Sequence, residues 1–280
     1  MIKNVVSHSL IAALLLGGSN AALAADLDNI IYAPQLPRMQ PVEVGNGWYL
    51  RGDVGYDFST DGSATSFQNF DVALTTYTTQ AYATSSFDTD VSVGAGFGYQ
   101  FNDWLRGEAM VSYQNGSFNA TSSSTTLPCT GLATGTGCNT SGSADFNAYG
   151  FMANGYIDLG TYIGFQPYVG AGAGYTLMDY DNYNSTETCV GGGCASTTPF
   201  TVAHSGERSW RFTYAFMAGF AYEFMRNLKA DLGYKYTNVD GGDTYGFDAT
   251  SAAAGASGIQ GTDNGFSTHQ VKASLRYALW

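Results

Sequence analysis

Charge is scarce in this sequence. Asp, Glu, Lys and Arg make up 12% of it, about half of the roughly 25% usual in a soluble domain. Acids outnumber bases enough to leave a net charge of -12, which argues against nucleic acid, whose binders carry a basic footprint. Long apolar runs are missing too. Past the first 25 residues nothing approaches the about 18 that a membrane-spanning helix needs. Histidine is down to 3 residues and proline to 6. What is plentiful is glycine (36), tyrosine (20) and phenylalanine (17). A disordered chain would be poor in those aromatics, so a β-rich, aromatic-rich chain remains.

The N-terminus has the three parts of a secretory signal. Met1-Ile2-Lys3 is short and positive, Leu10 to Leu16 is apolar but too short to span, and Ala22-Leu23-Ala24 fits the small-x-small rule. Cleavage between Ala24 and Ala25 is expected, making 1–24 a signal peptide. Residues 25–46 hold Pro34, Pro37 and Pro41 without a clean period and read as a periplasmic lead-in. The exported chain meets an oxidising setting where disulfides persist.

From residue 47 a period of two begins and keeps returning. Trp48, Leu50, Gly52, Val54, Tyr56 and Phe58 share one face; Tyr49, Arg51, Asp53, Gly55 and Asp57 share the other. Such alternation is strand patterning, and about 9–11 tilted residues cross a bilayer. Seven more segments repeat it, near 91–101, 105–113, 149–159, 165–177, 210–224, 228–236 and 270–279. Three connections are short, at Asn102-Asp103, 160–164 and 225–227. The other four, 59–89, 114–144, 179–208 and 239–265, run to 27–31 residues. Alternating short and long connections are the mark of an outer-membrane barrel with periplasmic turns. Closure follows, because an open sheet edge in lipid leaves backbone groups unpaired. Aromatics cluster near both expected interfaces, Trp48, Tyr99 and Trp104 on one side and Tyr56, Tyr113 and Trp210 on the other. A soluble β-sandwich would instead carry polar outer faces. The expectation for 47–280 is therefore an eight-stranded antiparallel transmembrane β-barrel with four long extracellular loops.

The run Gly47-Trp48-Tyr49-Leu50-Arg51-Gly52-Asp53-Val54-Gly55-Tyr56 resembles the first strand of the small opacity-type outer-membrane β-barrels of Gram-negative bacteria. Asn154-Gly155-Tyr156-Ile157-Asp158-Leu159-Gly160 and Pro167-Tyr168-Val169-Gly170-Ala171-Gly172-Ala173-Gly174 are similar to later strands. These motifs are framework and carry no chemistry. The resemblance implies a surface antigen that stabilises the outer membrane, with porins and adhesins among its members. It also implies lipid and lipopolysaccharide as surroundings, the barrel-assembly machinery as a folding partner, and host surfaces or phage as contacts. The C-terminal assembly signal departs from the family pattern: Tyr277 is in phase with Leu279, and Trp280 falls one residue beyond.

Candidate chemistry lies inside the barrel and in its loops. Seven cations face inward: Arg51, Arg106, Arg211, Lys229, Lys235, Lys272 and Arg276. Six acids join them: Asp53, Asp57, Glu108, Asp158, Glu223 and Asp231. Eight strands leave an interior only wide enough for side chains, so these charges read as an ion-pair plug before a selectivity filter. Inward glycines leave room for long side chains opposite. Cys129 and Cys138, and Cys189 and Cys194, lie in two of the long connections; local pairing is the simplest of three connectivities. No cofactor is expected, and zinc, with His204 in range, is the lesser reading in an oxidising setting. A lipid-modifying enzyme would rest on Ser267 and His269, which share a face but lack an acid on it, Asp263 being assigned to a loop. The leading function is a structural surface protein, the second a small pore, and that enzyme a weak third.

Overall fold

The computed structural model describes residues 47–125, 129, 136–192, 194 and 198–279. The signal peptide, its cleavage point at Ala24 and Ala25, the 25–46 lead-in and Trp280 lie outside the described residues. In chain order the elements are β1 (Gly47–Gly62), β2 (Ser66–Asp71), β3 (Thr76–Ala81), β4 (Thr84–Gln100), β5 (Leu105–Ser124) and β6 (Gly137–Asp158). They continue with β7 (Phe165–Tyr180), β8 (Tyr183–Val190), β9 (Phe200–Gly206), β10 (Arg208–Met225), β11 (Leu228–Asp248), α1 (Ala249–Ala253) and β12 (Ile259–Ala278).

Eight of these strands form a closed antiparallel ring. The order is β1, β4, β5, β6, β7, β10, β11, β12, and β12 returns to β1 through the pairs Tyr49↔Ala278 to Gly62↔Phe266. Inside and outside alternate as the sequence pattern requires. Leu50, Val54, Phe97, Val111, Phe151, Phe216 and Leu275 are half exposed on the outer wall, while Arg51, Arg106, Arg211 and Arg276 are buried. The outer wall is apolar because its solvent is hydrocarbon.

The four long connections are not loops over most of their length. β1 runs on to Gly62, β5 pairs with β6 as far as Ser124↔Cys138, and β11 pairs with β12 up to Gly246↔Ile259. Hairpins β2–β3 and β8–β9 join the rim of the sheet through Gly261↔Phe67 and through β6 and β11. The ring thus continues past the outer interface as a β-structured crown. The membrane-type pattern stops there for a physical reason. Above the bilayer the outer face meets water, so polarity inverts while the phase is kept. On β5, even positions point inward throughout: Arg106, Glu108 and Met110 in the membrane, then Phe118 and Ala120 in the crown. Odd positions change from Ala109, Val111 and Tyr113 to Ser117, Asn119 and Thr121.

The crown interior holds the apolar core. Phe87, Phe118, Phe146 and Phe266 are almost fully buried and contact one another with ring centroids 5.0–6.1 Å apart. Met178 and Val239 complete this layer. If the short turns are periplasmic, a membrane-impermeant maleimide should label Leu74→Cys on intact cells and leave Asp103→Cys unlabelled until the outer membrane is opened. The reverse pattern would invert the topology.

Candidate functional site

The inward charges fall into separate groups along the barrel. In the lower lumen Glu108 of β5 sits between two guanidinium groups, 2.8 Å from Arg51 Nη1 and 2.9 Å from Arg106 Nη1. Arg51 also reaches Asp53 at 2.7 Å, Asp53 takes Lys272 at 3.0 Å, and Arg106 pairs with Asp158 at 3.1 Å. One network therefore joins β1, β5, β6 and β12. Arg276 makes its own pair with Asp231 at 2.7 Å. Lys229 and Glu223 meet at 3.3 Å near the lower rim, where both keep some exposure.

Tyrosines fill the space between these ions. Tyr49 donates its hydroxyl to Glu108 at 2.8 Å. The Arg106 guanidinium lies 4.0 Å from the centre of the Tyr156 ring and 4.9 Å from Tyr168. A cation over an aromatic face is stabilised by the ring quadrupole. Glycine makes this packing feasible: a Cβ at Gly98 would fall 2.3 Å from Tyr49 Cζ, and one at Gly170 would fall 2.4 Å from Tyr156 Cδ1.

Lys235 and Asp57 stand apart from the network. Asp57 accepts hydrogen bonds from Thr89 and Gln270 at 2.7 and 2.8 Å, and from Gln114. Lys235 lines a cavity of about 40 Å³ with Thr176, Thr213, Thr268 and Gln270, and no carboxylate lies within ion-pair distance of it among the described residues. Arg211 is also separate. It pairs at 2.8 Å with Asp263, the residue assigned to a loop by sequence. Asp263 is on β12, buried, and additionally accepts from Tyr180 and Thr244 at 3.2 and 3.1 Å. It was missed because the 239–265 stretch has crown polarity. The aromatic layer was missed for the same reason, although Ala144, Phe146 and Ala148 alternate in the open.

In the crown the sulfurs pair as Cys129–Cys138 and Cys189–Cys194. Cys138 and Cys189 are strand partners, which sets the two bridges side by side. His269 donates to or accepts from the Tyr234 hydroxyl at 2.6 Å through Nδ1; Ser267 lies two residues earlier on the same face of β12. Tyr277 is half exposed on the outer wall at the lower rim. His204 is buried among Tyr183, Tyr245, Ser185 and Gln260. Burial pushes its imidazole down from the usual value, against smaller upward pulls from Asp248 and the Gln260 hydrogen bond.

A closed ring, an apolar outer belt and a charged, tyrosine-packed interior define an integral outer-membrane β-barrel. The chain belongs to the outer membrane protein beta-barrel domain family, whose model matches residues 10–278, and its place is the bacterial outer membrane. An uncharacterised protein of Brucella suis is 36% identical over 278 residues, covering 94% of each chain. Among solved structures, Neisserial surface protein A is 19% identical, covers 84% of this chain and 99% of its own, and has a TM-score of 0.36. OprG of Pseudomonas aeruginosa is 16% identical, covers 82% and 95%, and has a TM-score of 0.43.

Two outcomes follow from this geometry. Arg106→Met leaves Glu108 and Asp158 short of a partner in a buried site, so it should cost about 3–5 kcal/mol in urea unfolding of the refolded barrel. A loss near zero would mean the lumen is hydrated. For His204, a folded value below the unfolded 6.5 means the unfolded chain binds more protons in between. Its stabilising contribution is therefore complete above pH 6.5 and drains as pH falls toward the depressed value. Proteolysis of the crown should quicken on acidification through that window in the wild type, and His204→Gln should flatten the response.

Proposed function

We propose that the protein is a closed structural barrel of the outer membrane that presents its crown for surface contact, and not a solute pore. The observation that carries this reading is the filling of the lumen in layers. The Arg51–Glu108–Arg106–Asp158 network lies below, and the Phe87–Phe118–Phe146–Phe266 layer lies above. Water and ions would have to pass both.

The outer face of the crown supports the contact role. A row of hydroxyls runs across five paired strands, Thr84↔Thr121↔Ser141↔Thr186↔Thr201. Uncharged, evenly spaced hydroxyls suit the hydroxyl-rich saccharides of lipopolysaccharide, host surfaces or phage receptors, and they carry no catalytic pattern. Assembly by the barrel-assembly machinery through Tyr277 and Trp280 belongs to the same reading, as does the absence of an enzymatic role.

The purified, refolded monomer should show little or no steady conductance in a planar bilayer. Replacing Phe118 and Phe266 by Ala should then raise the frequency of openings, because the apolar layer is thinned. A large, stable and charge-selective conductance from the unmodified protein would overturn the closed-barrel reading and leave the pore in its place.

A further inference from the structure

Among the described residues every strand but one pairs with at least two others. The exception is β3, which pairs with β2 alone. It lies in the crown, outside the bilayer, and Thr76, Tyr77, Thr78, Thr79 and Ala81 are all exposed.

The ladder fixes which backbone groups are free. Tyr82 N–H donates to Thr65 O at 3.0 Å, continuing the register Ser66↔Ala81 to Asp71↔Thr76. In an antiparallel pair, bonded positions alternate, so the even-numbered residues of β3 bond β2 and the odd-numbered ones point away. Ala83, the next odd residue, gives its N–H to Thr121 O of β5 at 2.8 Å. Beyond it that side is bare: the N–H and C=O of Tyr77, Thr79 and Ala81 have no backbone partner among the described residues.

Exposed edges are normally blunted by Lys, Pro or a bulge. This one carries none of these. From Val72 to Phe87 there is no charged residue, no proline and no glycine, although the whole chain has a net charge of -12. Two copies would repel through most of their acidic surface, but not here. The segment also complements itself. Centred on Thr79, an antiparallel pair sets Thr79 against Thr79 of the second copy and the large Tyr77 against the small Ala81. The Thr79 Oγ1 accepts from Gln68 Nε2 at 3.0 Å, which leaves its O–H to donate across the axis. Threonine facing threonine is a favourable cross-strand pair.

We propose that β3 is a self-association edge, joining two copies of this chain through an antiparallel β3–β3 pair with a two-fold axis at Thr79. The contact is isologous, the same patch serving both copies. Three bonded pairs exchange two hydrogen bonds each, about six in all. So small an interface belongs to the weak, transient class. It is independent of the lumen, and a conducting barrel would pair in the same way.

A covalent trap suits a weak contact. At the axis the two Thr79 Cα atoms come about 5.5 Å apart, inside the disulfide range of roughly 4.4–6.8 Å, whereas two Ala81 residues stay ~14 Å apart. Under mild oxidation, the full chain refolded in detergent should form a disulfide-linked dimer with Thr79→Cys and not with Ala81→Cys. Adding Ala81→Pro to Thr79→Cys should slow that cross-link about tenfold, because it removes two donors that β2 does not use. If Ala81→Pro fails to give the folded, heat-modifiable form, Thr79→Lys sets like charges across the axis, and sedimentation should show less dimer than for the unmodified protein. The proposal is overturned if Thr79→Cys cross-links no faster than Ala81→Cys, or if dimer survives Ala81→Pro or Thr79→Lys unchanged. The first of these results would leave the edge to an extended segment of another protein.

Discussion

The constraint on which everything else depends is that hydrocarbon offers the backbone no hydrogen-bond partner. Every N–H and C=O that crosses the bilayer must be paired within the protein. For a chain built of strands this demands closure, and closure here is the β12–β1 seam, thirteen residue pairs from Tyr49↔Ala278 to Gly62↔Phe266 with one irregularity near Asp57. Apolar outer positions contribute little to holding strands together when lipid is as apolar as they are. The ladder and the interior hold the ring.

An eight-stranded ring is narrow, and that turns the interior into a packing problem. Long polar side chains were placed inside by the alternation, so they had to be satisfied there. The solution is a shared one: a carboxylate between two guanidinium groups, rings of tyrosine against the cations, and glycines on the facing wall where a Cβ would collide. Such a buried network stands or falls together, because removing one member strands the others in a dry place.

Solvent changes along each strand, and the structure follows it. Where lipid ends, the outer face turns from Ala, Val and Tyr to Ser, Thr and Asn, and the inner face turns from ions to phenylalanine. The same ladder is inside out below the interface and conventional above it. This is why the crown is continuous with the barrel while its sequence looks like loop. It also puts two kinds of interior in one molecule, with Lys235 and Asp57 in the polar space just beneath the aromatic layer.

Much of this was legible in the sequence. The eight spanning strands, their phase, the short turns and the inward identity of Arg51, Arg106, Glu108 and Asp158 all follow from a period of two read against lipid. Local information sufficed there because the side of a strand that meets lipid is marked by composition. Which charge pairs with which was not legible, since Arg106 and Asp158 are 52 residues apart and meet only through strand register. Asp263 and the phenylalanine layer escaped because their segments obey the opposite polarity rule, and the pattern alone does not announce where water replaces lipid. The free edge of β3 is later still in the hierarchy: it is defined only once the hairpin has joined the rim and every other described strand has found its partners. Residue order determined which faces are buried; the closed ring decided what each buried group meets, because contact across a barrel is set by register and curvature rather than by neighbours in the chain.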